Sequence, residues 1–288
     1  MPADVSNSIP LRKGGLCIAK KFQPLPAVAT RLMTLVTVED VGFREIADLV
    51  RVDPAFSAEV LKLANSPLFG CRQEVNNILH AVAILGVERL KSLVMMVALR
   101  NFLSRASKLE ALRRCWRHSL GCAFLAEEIA ATCWMGTAQC YTAGLLHDIG
   151  RLALLANYPA QYARLLDAVD QTGGDIIEYE REIFGMDHRE LGRLLMIEWN
   201  FPAPLPDVAG LHHLEPAPDR FDVRAAVHLA CRMADMLGFQ VAGPAPPIDL
   251  DEIRSKLPDS RRDKMKSEDE MLVTVAGKIN ALECTLMA

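Results

Sequence analysis

The sequence predicts an all-α protein, and three observations lead to that prediction. Leucine, alanine, valine and methionine dominate the apolar residues, whereas aromatic residues make up only 6% of the 288 positions. Such a composition favours helices over a β-sandwich. Apolar residues also recur every three or four positions along most of the chain, which is the helical period. Alternation of the kind that marks a strand never extends beyond a few residues.

The first part of the chain is predicted to contain an arm and a helical subdomain. Residues 1–20 lack periodicity and are interpreted as a flexible arm. Residues 21–109 are predicted to form short helices, the first of them at 27–36. Asp53 and Pro54 provide an N-cap and a proline in the first turn, and Gly86 is placed to end a later helix. A long apolar helix, Glu88–Phe102, follows it.

Residues 110–240 are predicted to form a second helical subdomain. A capping box of Asp187 and Glu190 marks one helix start. Residues 241–288 are interpreted as a linker and a C-terminal amphipathic helix that either folds back on the body or packs against a partner. The helices expected in the second subdomain are Glu110–Thr132, Ala138–Asn157, Ala160–Asp170, Asp175–Phe184, Asp187–Trp199, Leu205–His213 and Arg220–Leu237.

Charge and cysteine content narrow the functional classes. The formal net charge of −4 argues against broad adhesion to nucleic acid or anionic lipid. No apolar run is long and uninterrupted enough to predict a membrane span, and the first 20 residues lack the apolar core of a secretory signal. Eight cysteines without a CxxC pair are typical of a reducing compartment. We therefore expect a cytoplasmic protein with neither membrane nor direct nucleic-acid partners.

An ordered series of histidines and aspartates is the strongest chemical signal. His118 shares a helical stripe with Cys115 and Cys122, and Asp235 falls in line with Cys231, so both are expected to face the core. Imidazole and carboxylate groups there suit one or two divalent ions of iron, manganese, zinc or nickel. The candidate metal ligands are His118, His147, Asp148, His188, His212, His213 and Asp235.

Two interpretations of this series are open at the level of sequence. The adjacent His212 and His213 diverge by about 100° on a helix and could serve two ions. With Asp148 as the bridge, such a site would generate hydroxide and stabilise the oxyanions of phosphate-ester cleavage. The alternative is a hydrogen-bonded polar network without an ion. The remaining histidines, His80 and His228, are assigned structural roles.

Sequence blocks throughout the chain resemble the HDOD domain family. The similarity extends from about Phe22 to Leu237. It implies an all-helical, HD-superfamily-like bundle with an N-terminal helical subdomain, found in bacterial signal-transduction proteins that act as regulatory modules. The blocks are LANSP at 63–67, GLLHDIGRL at 144–152, FGMDH at 184–188, WNFP at 199–202 and the histidine pair at 212–213.

The related HD-GYP phosphodiesterases, which hydrolyse cyclic di-GMP, have the same ligand order. The resemblance therefore implies that the seven residues named above bind metal. Arg151 replaces a lysine of those enzymes; it keeps the charge and can bind phosphate, but it cannot act as a tunable acid. The Gly-Tyr-Pro loop is missing after His213. If the chain is an enzyme, Asp148 and Arg151 are the expected catalytic residues.

The expected function is a regulatory module that binds a signalling protein or a nucleotide ligand and transmits a change between its two helical halves. The alternative is a metal-dependent phosphohydrolase, with cyclic dinucleotides among its candidate substrates. A third possibility is a purely structural ion. In that case, replacing Asp148 lowers thermal stability without any activity to lose.

Overall fold

The computed structural model describes residues 43–52, 54–70, 74–103, 110–217, 220–244 and 249–287. Within these ranges the chain forms fourteen α-helices and no strand, so the all-α prediction is confirmed. The arm predicted at 1–20 and the helix predicted at 27–36 lie outside the described residues. None of the described helices is long and apolar enough to cross a membrane.

Four helices form the N-terminal half. The Asn77 side chain accepts a hydrogen bond from the His80 amide and so caps the third helix. Gly86 follows this helix with a φ of 81°, a backbone region that favours glycine, and the fourth helix begins at the next residue. The four are α1 (Phe43–Arg51), α2 (Pro54–Ala64), α3 (Ile78–Leu85) and α4 (Val87–Leu103).

The second half is built around one long helix, which packs against the helices that follow it. Because this helix is buried along most of its length, its polar residues must find partners inside the protein. The helices are α5 (Glu110–Thr132), α6 (Thr137–Leu146), α7 (Ile149–Asn157), α8 (Pro159–Thr172), α9 (Ile176–Phe184), α10 (His188–Glu198), α11 (Leu205–Leu211) and α12 (Val223–Ala234).

The single helix predicted at 138–157 is wrong, because the chain breaks between α6 and α7. His147 and Asp148 form a turn there, and Asp148 has φ −97° and ψ 23°, outside the helical region. The turn lets the His147 ring reach the carbonyl of Gly144, and it directs the Asp148 side chain into the protein. No proline marks this break, which is why periodicity alone missed it.

The C-terminal segment is more ordered than a linker. The helix predicted at 220–237 ends at Ala234 and continues as a π-helical turn, Asp235–Phe239. The segment predicted as a linker contains α13 (Leu250–Lys256) and a 3₁₀ turn (Asp259–Lys264). The last helix, α14 (Glu268–Met287), packs on α5, and Met271, Val275 and Ile279 are buried. It therefore folds back on the body.

A close approach of α7 and α10 brings the turn at His147 and Asp148 next to the start of α10. A Cβ atom on Gly150 would lie 2.0 Å from the His188 carbonyl oxygen and 2.6 Å from the Gly192 nitrogen. Only glycine fits at this crossing, since real Cβ atoms do not approach backbone atoms so closely. The contact sets the start of α10 beside the turn that carries Asp148.

Candidate metal site

Separate parts of the second half contribute polar side chains to one buried cluster. His118 lies in the middle of α5, His188 begins α10, and the histidine pair at 212–213 follows α11. His213 reaches the surface. The other members are between 1% and 4% exposed, namely His118, His147, Asp148, Arg151, His188 and His212.

In four of the histidine rings, the Nδ1 atom forms a hydrogen bond with a carbonyl or carboxylate oxygen of the protein. A carbonyl or carboxylate oxygen only accepts, so Nδ1 donates in each ring, and the neutral tautomer that matches this contact has its lone pair on Nε2. Metal-bound histidines in proteins show this same arrangement. The Nδ1 contacts are His118 to Phe239 O at 3.0 Å, His147 to Gly144 O at 2.6 Å, His188 to Glu180 Oε2 at 2.6 Å and His212 to Ala209 O at 3.0 Å.

The Nε2 atoms converge on the Asp148 carboxylate. The Nε2 atoms of His118 and His147 are 3.3 Å apart. Asp148 Oδ1 lies 3.5 Å from His188 Nε2 and 3.4 Å from His212 Nε2. Ligands of a tetrahedral ion with bonds of about 2.1 Å are separated by about 3.4 Å. These three spacings fit that value, whereas the Nε2 atoms of His118 and His147 lie 3.9 Å and 3.8 Å from Asp148 Oδ2.

Two buried atoms at the centre have no hydrogen-bond partner among the described residues: Asp148 Oδ1 and His212 Nε2. Buried polar atoms left unpaired are unfavourable, and a cation between them would satisfy both. Burial lowers the pKa of His147 well below its ordinary value and also lowers that of His212. Both rings are therefore neutral, as a metal ligand must be. The residues fit a divalent ion.

Arg151 fills the other side of the cluster. Its Nε atom donates to Asp148 Oδ2 at 2.7 Å, and its Nη2 atom lies 3.2 Å from His188 Nε2. Burial alone would raise the pKa of the Asp148 carboxyl, but the Arg151 guanidinium holds it well below its usual range. The guanidinium thus contacts both a carboxylate oxygen and an imidazole nitrogen of the candidate ligands.

The structure brings six of the seven expected ligands together and places Asp235 elsewhere. The Asp235 carboxylate lies 3.4 Å from His118 Nδ1, on the outer side of that ring, and its side chain is 22% exposed. On the inner side, Cys231 Sγ lies 3.6 Å from His118 Nε2. Burial raises the pKa of the Cys231 thiol well above its ordinary value, so the thiol is protonated.

Two functional neighbours were missed by sequence reasoning. Glu180 accepts hydrogen bonds from the backbone and ring of His188 and from the Tyr162 hydroxyl. It lies on α9, eight residues before His188, so no helical spacing connects the two. Cys231 precedes Asp235 by one helical turn; it was expected on the same core-facing stripe but not among the metal ligands. His228, expected to be structural, contacts the His212 carbonyl at 2.8 Å.

A sequence profile of the HDOD domain matches residues 22–215. The chain belongs to the HDOD domain family. This confirms the resemblance, and similar crystal structures support the fold. An HDOD domain protein of unknown function from Geobacter sulfurreducens has a TM-score of 0.72 at 23% identity, over 94% of this chain and 97% of that one. A presumed phosphohydrolase from Shewanella amazonensis SB2B has a TM-score of 0.71 at 24% identity, over 96% and 99%.

One curated relative of this HDOD protein is an uncharacterized protein from Treponema pallidum (strain Nichols). The two are 23% identical over 227 residues, which is 77% of this chain and 44% of the relative. The HDOD chain therefore spans less than half the length of that relative.

Proposed function

We propose that this HDOD protein is a regulatory module whose histidine cluster holds a single divalent ion. It acts by binding a signalling protein or a nucleotide and does not hydrolyse phosphodiesters. The observation that carries the proposal is the buried Arg151 guanidinium, bonded to Asp148 and close to the Nε2 atom of His188.

Arg151 takes the role that a second cation has in a two-metal site. In such sites two ions share a carboxylate and together stabilise the attacking and leaving oxygens. Arginine stays charged under all ordinary conditions, and at 4% exposure its guanidinium is fixed inside the cluster. It balances the charge of Asp148 but cannot lower the pKa of a bound water as a metal ion does. The hydrolytic centre is therefore incomplete.

Burial of the cluster also argues against a large substrate. His147, Asp148, His188 and His212 are each only 1% exposed. A cyclic dinucleotide carries two phosphates and two bases and requires an open cleft. The chain after the histidine pair continues Leu214-Glu215-Pro216, without the recognition loop of the HD-GYP enzymes.

Among the residues available for one ion, the ligand atoms of His147, Asp148 and His212 lie within 4.8 Å of one another, and His118 Nε2 lies 3.3 Å from His147 Nε2. Nitrogen and oxygen donors of this kind suit iron, manganese, zinc or nickel. Their side chains come from α5, from the turn before α7 and from the end of α11. When bound, the ion would act as a Lewis acid and would also join these three elements.

A second candidate function is a metal-dependent phosphohydrolase. It is favoured by the unpaired Asp148 Oδ1 and His212 Nε2 atoms and by the structural similarity to a presumed phosphohydrolase. In that function the Arg151 guanidinium would hold a substrate phosphate, for which its planar donors are suited. It would first have to release Asp148.

Metal analysis and an activity screen separate the two functions. The protein is purified without chelator, its metal content is measured by mass spectrometry, and cyclic di-GMP and bis(p-nitrophenyl) phosphate are offered with Mn²⁺ or Fe²⁺. We expect about one divalent ion per chain and no turnover. Turnover by the wild type that is lost in Asp148→Ala would overturn the proposal.

A substitution of Arg151 tests its role directly. In Arg151→Met the second position is no longer filled by a cation, so metal content is expected to rise toward two ions per chain. The matched control is Arg164→Met on α8, where the exposed guanidinium contacts a carbonyl of its own helix. Equal metal content in both variants would show that Arg151 does not limit ion binding.

A further inference from the structure

A second polar region lies between the N-terminal half and the second half. It is a cavity of about 430 Å³, within the size range of small-molecule sites. The loop after α2 and the start of α4 line one side, α5 and α6 the other, and α14 contributes Lys278. An occupant would therefore touch both halves and the C-terminal helix at once.

The floor of the cavity is apolar and its edge is charged. Leu93, Met96 and Phe124 are at most 3% exposed and supply the floor. Lys278 extends its Nζ atom to 4.9 Å from the centre of the Phe124 ring. Such a surface suits a molecule with an aromatic or aliphatic body, because burial of that body gains free energy from the hydrophobic effect.

Tyr141 provides an independent sign that something polar belongs in the cavity. It lines the cavity and is 4% exposed, and its hydroxyl has no hydrogen-bond partner among the described residues. Burial, with a smaller effect of Glu127, raises the pKa of this hydroxyl, so it remains a donor. A buried hydroxyl without a partner is unfavourable, and an acceptor on a bound molecule would correct this.

The uncompensated charge in the cavity is positive. The two lining carboxylates already have cations: Glu88 pairs with Lys91 at 2.7 Å, and Glu127 with Lys278 at 3.2 Å. Exposed Arg89 has no ion-pair partner among the residues that the structure describes. Val87, Glu88 and Arg89 in the first turn of α4 also line the cavity, and the first backbone bond of this turn runs from the Leu90 amide to the Gly86 carbonyl at 3.2 Å. The amides of this turn and the helix dipole favour an anion.

We propose that this cavity binds a small organic anion with an aromatic or aliphatic body. Its charged group lies against Arg89 and the start of α4, and an acceptor on its body takes the Tyr141 hydroxyl. Binding does not require an ion in the histidine cluster. It would nevertheless act on the same helices, since Tyr141 lies on α6, which leads into the His147 turn, and Phe124 lies on the His118 helix.

The test uses 8-anilinonaphthalene-1-sulfonate, an aromatic sulfonate whose fluorescence rises in apolar sites. The full chain is titrated with the dye, and stoichiometry and Kd are checked by calorimetry. One saturable site is expected. Arg89→Gln should weaken binding about tenfold, because it removes the positive charge opposite the anion, and Tyr141→Phe should weaken it by a smaller factor, because it removes one neutral hydrogen-bond donor. Ser92→Trp, which fills the cavity, should abolish binding while circular dichroism confirms the fold.

Two controls make the result decisive. Arg164→Gln removes an exposed arginine on α8 and should bind the dye like the wild type. Added chelator should leave the Kd unchanged, which separates this site from the proposed ion site. If Arg89→Gln and Tyr141→Phe bind the dye as tightly as Arg164→Gln, the dye lies elsewhere and the proposal is overturned, even if Ser92→Trp fails to fold.

Discussion

The histidine cluster and the cavity between the halves are both polar regions in an apolar bundle, but they differ in whether their polar groups have partners. In the cluster, each of four rings is fixed by a contact at Nδ1, and an internal guanidinium occupies the remaining space. In the cavity, the Tyr141 hydroxyl has no hydrogen-bond partner among the described residues, and Arg89 is exposed. The two proposals follow from this difference: an ion for the cluster and a small molecule for the cavity.

The largest expected effect comes from the helix crossing that builds the cluster. Gly150→Ala places a Cβ atom 2.0 Å from the His188 carbonyl oxygen, so α7 and α10 must separate. We expect the free energy of unfolding to fall by more than about 4 kcal/mol, measured by urea denaturation.

Gly277→Ala on α14 is the matched control, because a Cβ atom there meets nothing within 4 Å. Alanine is the better helix former, so this change should raise stability by up to about 1 kcal/mol. Equal effects of the two substitutions would mean that the close approach of α7 and α10 is not needed for folding.

Breaking the ion pair between Asp148 and Arg151 should have the next largest effect on the free energy of unfolding. Asp148→Ala leaves the Arg151 guanidinium buried without its carboxylate, which should cost about 3–5 kcal/mol of unfolding free energy in the presence of chelator. The exposed Asp167→Ala on α8 serves as the control. Replacing both members, as Asp148→Leu with Arg151→Met, should recover much of the loss. A double variant as unstable as Asp148→Ala would contradict this account.

A substitution at Glu180 tests whether its carboxylate stabilises the position of His188. Glu180→Gln keeps the shape but removes the charge that accepts from the His188 ring and backbone, and the expected loss is about 1–3 kcal/mol. Burial alone would raise the pKa of Glu180, but His188 lowers it below 4.5. The stabilisation is therefore complete above that pH and declines as the pH falls through the folded-state pKa. Exposed Glu182→Gln should show neither effect.

The smallest expected effect has the opposite sign and belongs to the cavity. Tyr141→Phe removes a buried hydroxyl that has no described partner, so stability should rise by up to about 1 kcal/mol. Tyr162→Phe is the same substitution in the cluster, where the hydroxyl donates to Glu180, and it should lower stability. Thermal denaturation of the two variants is the measurement. A loss of stability in Tyr141→Phe would show that its hydroxyl is satisfied.

Sequence patterns correctly predicted the features that depend on residues close together in the chain, such as helix caps and core-facing stripes. The capping box of Asp187 and Glu190 is present, and stripes such as the one around His118 do face the core. The break between α6 and α7 was missed, since it depends on where the Asp148 side chain finds partners. The contact of Glu180 with His188 joins two helices, and the cavity needs both halves and α14. Such features arise only from tertiary packing, which periodicity does not report.

The net charge of the buried groups bears on the number of ions proposed for the cluster. Two buried carboxylates, those of Asp148 and Glu180, lie beside one buried guanidinium, that of Arg151. The interior of the cluster therefore carries an excess of one negative charge, which favours a cation. A single dication would leave one positive charge in this poorly hydrated interior, whereas two dications would leave three. The charge balance thus supports the proposal of one ion over two.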